Sequence, residues 1–278
     1  MYLFLALSSG VLWGVWGFGY GRYGRVMSRY SVILTSASGA ALVFLITGLV
    51  RHDIKIDPID LRDGLLGGIL NLLGSVLLLK AVTMGKIGTA SGVNASYVLI
   101  PLGYALIIGE TISAQEIAGG LVIIIGLAIF FLLKHSDSGH SSRPLASVGL
   151  AFVSAIFYGA AVVVLDFGTR DNLYGTMFLG QLPCIAISLV MLTRARSFGE
   201  LRTRHFPPLL GTGFALGLAG IAFYTAADYG DLGIASVLSS ISPVATAVLA
   251  FLILKEKMIR TEITALAVVL SGVALTFI

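Results

Sequence analysis

The chain is poor in charge. Of its 278 residues only 12% are Asp, Glu, Lys or Arg, while 57% are apolar, and the mean hydropathy is +0.97. An ordinary soluble domain carries about 25% charged residues. Half that charge leaves too little polar surface to coat a body in water, which excludes a soluble enzyme, a disordered chain and a nucleic-acid-binding domain. The apparent pI of 9.2 does not reopen the last class, because the net charge is only +4. Those charges punctuate apolar runs rather than forming a basic stripe. Cysteine is nearly absent: Cys184 stands alone. No disulfide within the chain and no thiolate metal cluster can form. The four histidines (His52, His135, His140 and His205) all lie between apolar runs, so no H-E-x-x-H-type metal pair exists. The sequence implies no metal and no cofactor. It has no nucleotide-binding P-loop, which argues against ATP-driven pumping by this chain alone. Tyr229-Gly230-Asp231 has the look of an intramembrane aspartyl motif, but its acid lies in a short loop without an intramembrane partner. An enzyme is therefore not expected.

What remains is long apolar runs. A bilayer core of about 30 Å takes roughly 20 helical residues. The chain divides into ten such segments, at 2–20, 31–50, 64–84, 87–108, 114–133, 146–166, 173–193, 207–228, 233–254 and 261–278. The expected class is an all-α integral membrane protein of ten transmembrane helices. The first run lacks a preceding basic region and an A-x-A-like site, so it reads as a span rather than a cleaved leader. Most of the 34 glycines lie inside apolar runs, where small residues let helices touch in lipid.

The chain overlays on itself with a shift of 145. Gly85, Gly88, Ala90 and Ser91 fall on Gly230, Gly233, Ala235 and Ser236. Leu5, Ala6, Ser9 and Gly14 fall on Leu150, Ala151, Ser154 and Gly159, with Trp13 over Tyr158. Later the shift becomes 146, and Glu110, Glu116 and Gly126 meet Glu256, Glu262 and Gly272. This gives two five-helix repeats, 1–133 and 146–278, joined by a polar linker at 134–145. Five is odd, so the second repeat enters the membrane from the opposite side. Inverted repeats of this kind build secondary transporters with a midplane site where the copies meet. Pro101 lies 13 residues after Gly88 and Pro243 ten after Gly233. The expectation is a proline kink in each crossing, almost one turn apart, with the paired glycines as gating positions.

Leu12-Trp13-Gly14, the two glycine-alanine-serine helix starts, Ser242-Pro243-Val244 and Glu256 together resemble the drug/metabolite transporter superfamily, EamA type. The likeness covers the whole chain. It implies alternating-access transport of small organic solutes. Pro101 to Glu110 is nine residues, against thirteen from Pro243 to Glu256, so pocket positions do not transfer strictly onto the fourth span.

Polar groups at membrane depth need a partner or a water-lined cavity. Trp13, Trp16, Gly17 and Tyr20 recur at helical spacing on one face of the first span. Aromatic walls with polar tips suit an organic solute and can hold a cation. Tyr158 answers them in the sixth span. The fourth span places Asn94, Tyr97 and Pro101 on one face, and the ninth places Ser236, Ser239, Ser240 and Pro243 likewise, so these faces should confront each other. Gln181 is a candidate in the seventh span, with a helix–helix hydrogen bond as its alternative. Lys80 is the one basic residue well inside an apolar run. It either meets an anionic group of the substrate, or Asp228, or snorkels to the interface. Asn71 and Lys80 are nine residues apart, about 900° of helical rotation, hence on opposite faces. The first span has no acid, which disfavours the proton coupling that the small four-helix exporters of the resembled superfamily draw from a glutamate there.

Basic residues favour cytoplasmic loops. Loops after odd-numbered spans hold 13 Lys and Arg, and the others hold 4. The count puts the odd loops in the cytoplasm and both termini outside, whereas the resemblance implies cytoplasmic termini. The reading is a multi-pass protein of the cell (inner) membrane with the bilayer and a small-molecule substrate as partners. Its function is secondary transport of a small polar or zwitterionic organic metabolite, amino-acid-like or similar. The competing class is a lipid flippase or scramblase, whose basic rim Arg22, Arg25, Arg29 and Arg194, Arg196, Arg202, Arg204 would supply.

Overall fold

A computed structural model describes residues 1–54, 57–84, 87–109, 113–132, 144–196, 204–254 and 260–275. The secondary structure among the described residues is all helical, with no strand among them. In chain order the helices are α1 (Tyr2–Tyr23), α2 (Arg29–Val50), α3 (Pro58–Met84), α4 (Ile87–Asn94), α5 (Leu99–Ile108) and α6 (Ala114–Leu132). After residues 133–143 come α7 (Pro144–Thr169), α8 (Leu173–Ala195), α9 (Phe206–Tyr229), α10 (Leu232–Ser239), α11 (Ser242–Leu254) and α12 (Arg260–Leu275). Among the described residues seven helical stretches of 22 to 27 residues are long and apolar enough to cross a bilayer. The chain is a multi-pass membrane protein. Most of the linker expected at 134–145 lies outside the described residues, as do Gly85, Glu110 and Glu256.

Several helices overrun the apolar segments because their ends are set by capping rather than by hydropathy. α3 starts at Pro58, six residues before the apolar run. Asp57 accepts the Ile59 and Asp60 N–H groups at 2.8 and 2.9 Å, and Pro58 needs no donor at the first helical position. Asn172 caps α8 through the Gly175 N–H at 3.0 Å. Ser28 caps α2 through Ser31 N–H.

The segments expected as the fourth and ninth spans are not proline-kinked helices, and here the structure corrects the sequence. Each is broken in two. A 3-10 segment, Ala95–Val98, separates α4 from α5, and a turn at Ser240 and Ile241 separates α10 from α11. Ala95 plus 145 is Ser240, so the breaks occupy equivalent positions rather than sitting a turn apart. Pro101 and Pro243 fall in the first turn of α5 and α11. The N–H groups there have no intrahelical partner, and a proline costs nothing.

Packing maps onto itself when the halves are exchanged. α1 lies along α9 as α3 lies along α7, α2 touches α9 as α3 touches α8, and α2·α8 and α6·α12 are self-paired. Individual atoms repeat the relation. A Cβ on Gly14 would meet the Ser242 carbonyl at 2.8 Å, and one on Gly159 would meet the Tyr97 carbonyl at 2.6 Å. Both pairs are 145 residues apart. A Cβ on Gly126 would strike Val269 N at 2.8 Å, and one on Gly272 would strike Ile123 N at 2.7 Å. The latter two pairs are 146 apart, the same one-residue slip seen in the sequence. Small residues here allow backbone-to-backbone contact between halves, which is how helices associate in lipid.

Candidate functional site

The reciprocal glycine contacts bring α1 and α7 against the two helix breaks. Between them lies a cavity of about 120 Å³, several times what one water molecule needs. Its wall comes from α1, α2, α3, α4, α7, α8, α9, α11 and the 3-10 segment. The sequence argument omitted α2, which contributes Phe44. No Asp, Glu, Lys, Arg or His occurs among the described lining residues.

Of the nominated residues, Trp13, Trp16, Asn94, Tyr97, Tyr158, Gln181 and Pro243 line this cavity. Trp13 meets the edge of Tyr97 at 6.2 Å between ring centroids and Phe223 at 5.0 Å. Trp16 stands edge-on to Tyr158 at 6.4 Å, and its indole N–H donates to Ser36 Oγ at 2.8 Å. Tyr158 OH pairs with Ser75 Oγ at 2.8 Å. Ser154 binds α7 to its neighbours, reaching the Gly74 carbonyl at 2.8 Å and Asn94 Oδ1 at 3.0 Å. Asn94 keeps its Nδ2 donors for a guest, and Oδ1 keeps a second lone pair. The segments expected as the fourth and ninth spans meet at Tyr97 OH and Ser239 Oγ, 3.2 Å apart. The Ser239 hydroxyl already donates to the Ser236 carbonyl, so Tyr97 is the donor.

The remaining nominees stand elsewhere. Tyr20 is buried behind Trp16, ring against ring at 4.4 Å, and does not face the cavity. Ser239 and Ser240 are fully buried behind the wall. Lys80 is a correction: it is exposed and outside the cavity, whereas Asn71, on the opposite face of α3, lines it. A buried ammonium would need a counter-charge, and the described lining residues supply none. Pro101 is buried in α5 away from the wall. Gly88 and Gly233 lie within α4 and α10, and Gly230 ends α9, where a Cβ would meet the Tyr2 ring at 2.5 Å.

Sequence reasoning missed Ser242, Thr246, Met177 and Tyr224, all in the wall. Thr246 follows Ser242 by one turn and donates to the Gly14 and Ser242 carbonyls, both at 3.0 Å. The signal available was a polar pair one turn apart, just beyond the ninth-span serines.

Two apolar clusters contribute to the cavity wall and its backing. One holds Val98, Phe223, Tyr224 and Leu238, with Trp13 against it. The other holds Tyr20, Tyr23, Leu78 and Leu79, with Trp16 against it. Tyr158 touches both.

Gln181 differs from its surroundings. It is 4% exposed, and Oε1 has no hydrogen-bond partner among the described residues. An unmet buried acceptor costs about 1–3 kcal/mol. The repeat explains the orphan. Gln181 is the equivalent of Ser36, whose partner is the Trp16 indole, and the equivalent of Trp16 is Ala161, which has no donor.

Charge pairs among the described residues stand instead near the starts of α3 and α8. Arg62 meets Asp63 at 2.7 Å, Arg170 meets Asp166 at 2.7 Å, and Asn172 donates to Asp60 at 2.7 Å.

A crystal structure of another protein superposes with a TM-score of 0.80 over 99% of this chain and 95% of that one, at 15% identity. That likeness establishes the fold alone. A curated relative from Methanothermobacter thermautotrophicus, described as an uncharacterized transporter, is 27% identical over 222 residues. The match takes in 75% of this chain but only 63% of that relative's length. The EamA-like transporter family matches twice, at residues 1–132 and 145–278. With both halves matched, the chain belongs to the EamA-like transporter family.

Proposed function

We propose that the protein is a secondary transporter, or facilitator, that moves a small polar or zwitterionic organic metabolite by alternating access. The two halves form ten spans as inverted five-helix repeats, and the cavity between them is the substrate site. One observation carries this reading: the cavity lies where two equivalently broken helices meet, walled by equivalent positions of both halves. Trp13 and Tyr158, Asn71 and Leu216, and Tyr97 and Ser242 are such pairs. Broken helices around a midplane site are the architecture of many secondary transporters. The two apolar clusters are the gates, with Trp13 and Trp16 one turn apart on α1 each facing one of them.

The chemistry of the wall narrows the cargo. It offers amide groups from Asn71, Asn94 and Gln181 together with aromatic faces, and its described residues supply no fixed charge. A solute with an apolar body and neutral or internally balanced polar groups fits; a strong net anion has no counter-charge. The protein is placed in the cell (inner) membrane, and the 13-to-4 basic distribution favours odd-numbered loops in the cytoplasm.

Proteoliposomes filled with a mixture of amino acids and other small zwitterions, with efflux read by mass spectrometry, test the reading. The expected result is selective efflux that Trp13→Ala and Asn94→Ala both abolish. Unchanged efflux in both variants overturns the site. Lipid scrambling without solute efflux overturns the metabolite reading.

A further inference from the structure

We infer that Gln181 Oε1 receives a hydrogen bond from an N–H group of the substrate, so that the cargo is an amine- or amide-bearing solute. The inference deepens the reading that the central cavity holds the transported solute, and rests on it. Three observations carry it. Gln181 lines the cavity and its Oε1 is buried without a partner among the described residues. The equivalent position in the other half, Ser36, is satisfied by an indole N–H. The counterpart of that indole in the second half is Ala161, which also lines the cavity and carries no side-chain donor.

Among the described lining residues Gln181 Oε1 is the buried polar atom left without a partner. Asn94 Oδ1 is engaged with Ser154, and the hydroxyls of Tyr158 and Thr246 have protein partners. A guest N–H therefore finds its unmet acceptor at Gln181, while Asn94 Nδ2 can donate to an acceptor elsewhere on the same guest. An amide, or a zwitterion with an ammonium and a carboxylate, supplies both ends. The aromatic faces take the rest of the molecule.

The cargo is unidentified, so the probes are matched pairs that differ in N–H groups. Benzamide is compared with N,N-dimethylbenzamide, and phenylalanine with its N,N,N-trimethyl analogue. The second pair keeps its charge and its attraction to aromatic rings and loses only the donors. The readout is the melting temperature of the purified full-length protein, which a ligand of the folded state raises. Expected are protection of the wild type by the N–H member of a pair and weaker protection by its alkylated partner. Gln181→Met keeps length and volume without an acceptor. It should weaken binding of the N–H probe about tenfold or more and erase the preference. Its melting temperature without probe should not fall, because the unmet acceptor is gone. Gln181→Leu repeats the test with a second side chain that lacks an acceptor.

Equal protection within both pairs overturns the inference while leaving the cavity as the substrate site. Preference retained in the Gln181 variants, or a fall in unliganded melting temperature, also overturns it. No protection by any probe overturns it too. The efflux assay with Trp13→Ala and Asn94→Ala then decides separately whether the cavity reading survives.

Discussion

Replacing Gly14 by alanine tests how closely the halves approach. The added Cβ would lie 2.3 Å from the Ala245 Cβ and 2.8 Å from the Ser242 carbonyl. Neither is the far end of a flexible side chain, so α1 and α11 must separate. Overpacking of this kind costs about 1–3 kcal/mol. Because Gly159 meets the Tyr97 carbonyl at 2.6 Å and Ile100 Cβ at 2.8 Å, Gly159→Ala should cost a similar amount. Gly103 and Gly149 are helical glycines with nothing within 4 Å of an added Cβ, and their alanine variants should be neutral or better. Gly17 is intermediate, with one contact at 3.1 Å to the Thr246 hydroxyl. Adding Ala245→Gly to Gly14→Ala removes the shortest contact and should restore part of the loss. The assay is thermal unfolding of the purified protein in one detergent, with efflux measured alongside. Equal tolerance of alanine at Gly14, Gly159, Gly103 and Gly149 would refute the packing argument.

Tyr97→Phe removes the donor to Ser239 and should cost about 0.5–1.5 kcal/mol in the same unfolding assay. Asn172→Ala removes both the α8 cap and the hydrogen bond to the buried Asp60 carboxylate. Cap and charged hydrogen bond together imply a loss of about 2–4 kcal/mol, larger than that of any surface substitution. Lys80→Gln, at an exposed position outside the cavity, should leave efflux unchanged; its loss would restore Lys80 to the site. A reporter active only in the cytoplasm, fused after Ile278, should be silent, and activity would reverse the orientation.

Much of the fold was legible because lipid makes hydropathy a direct record of helices, and because the duplication wrote each helix twice. The match of Gly14 to Gly159 in sequence returned as a match of contacts. The helix breaks were not legible. Proline is a visible mark, but Pro101 and Pro243 begin new helices, and the breaks fall on Ala95–Val98 and Ser240–Ile241, where no residue type announces them. The aromatic and amide residues of the wall were recognisable as polar or amphipathic groups at membrane depth. Tyr20 shows the limit of that argument. It shares the helix face of Trp16, yet packs behind it, because a face on a helix is wider than the cavity it borders. Gln181 could be nominated from sequence, but its unmet acceptor depended on Ala161 standing where a second tryptophan would have been.

Alternating access is the central claim, and thiol labelling tests it most directly. Cys184 is the only cysteine, so Cys184→Ala gives a clean background for Ser242→Cys in the cavity wall. The protein is reconstituted in sealed vesicles and exposed to a membrane-impermeant thiol reagent from one side at a time. The account predicts labelling of this single position from either side, slowed by a transported solute. Labelling from one side only, under every solute and gradient condition, would contradict it.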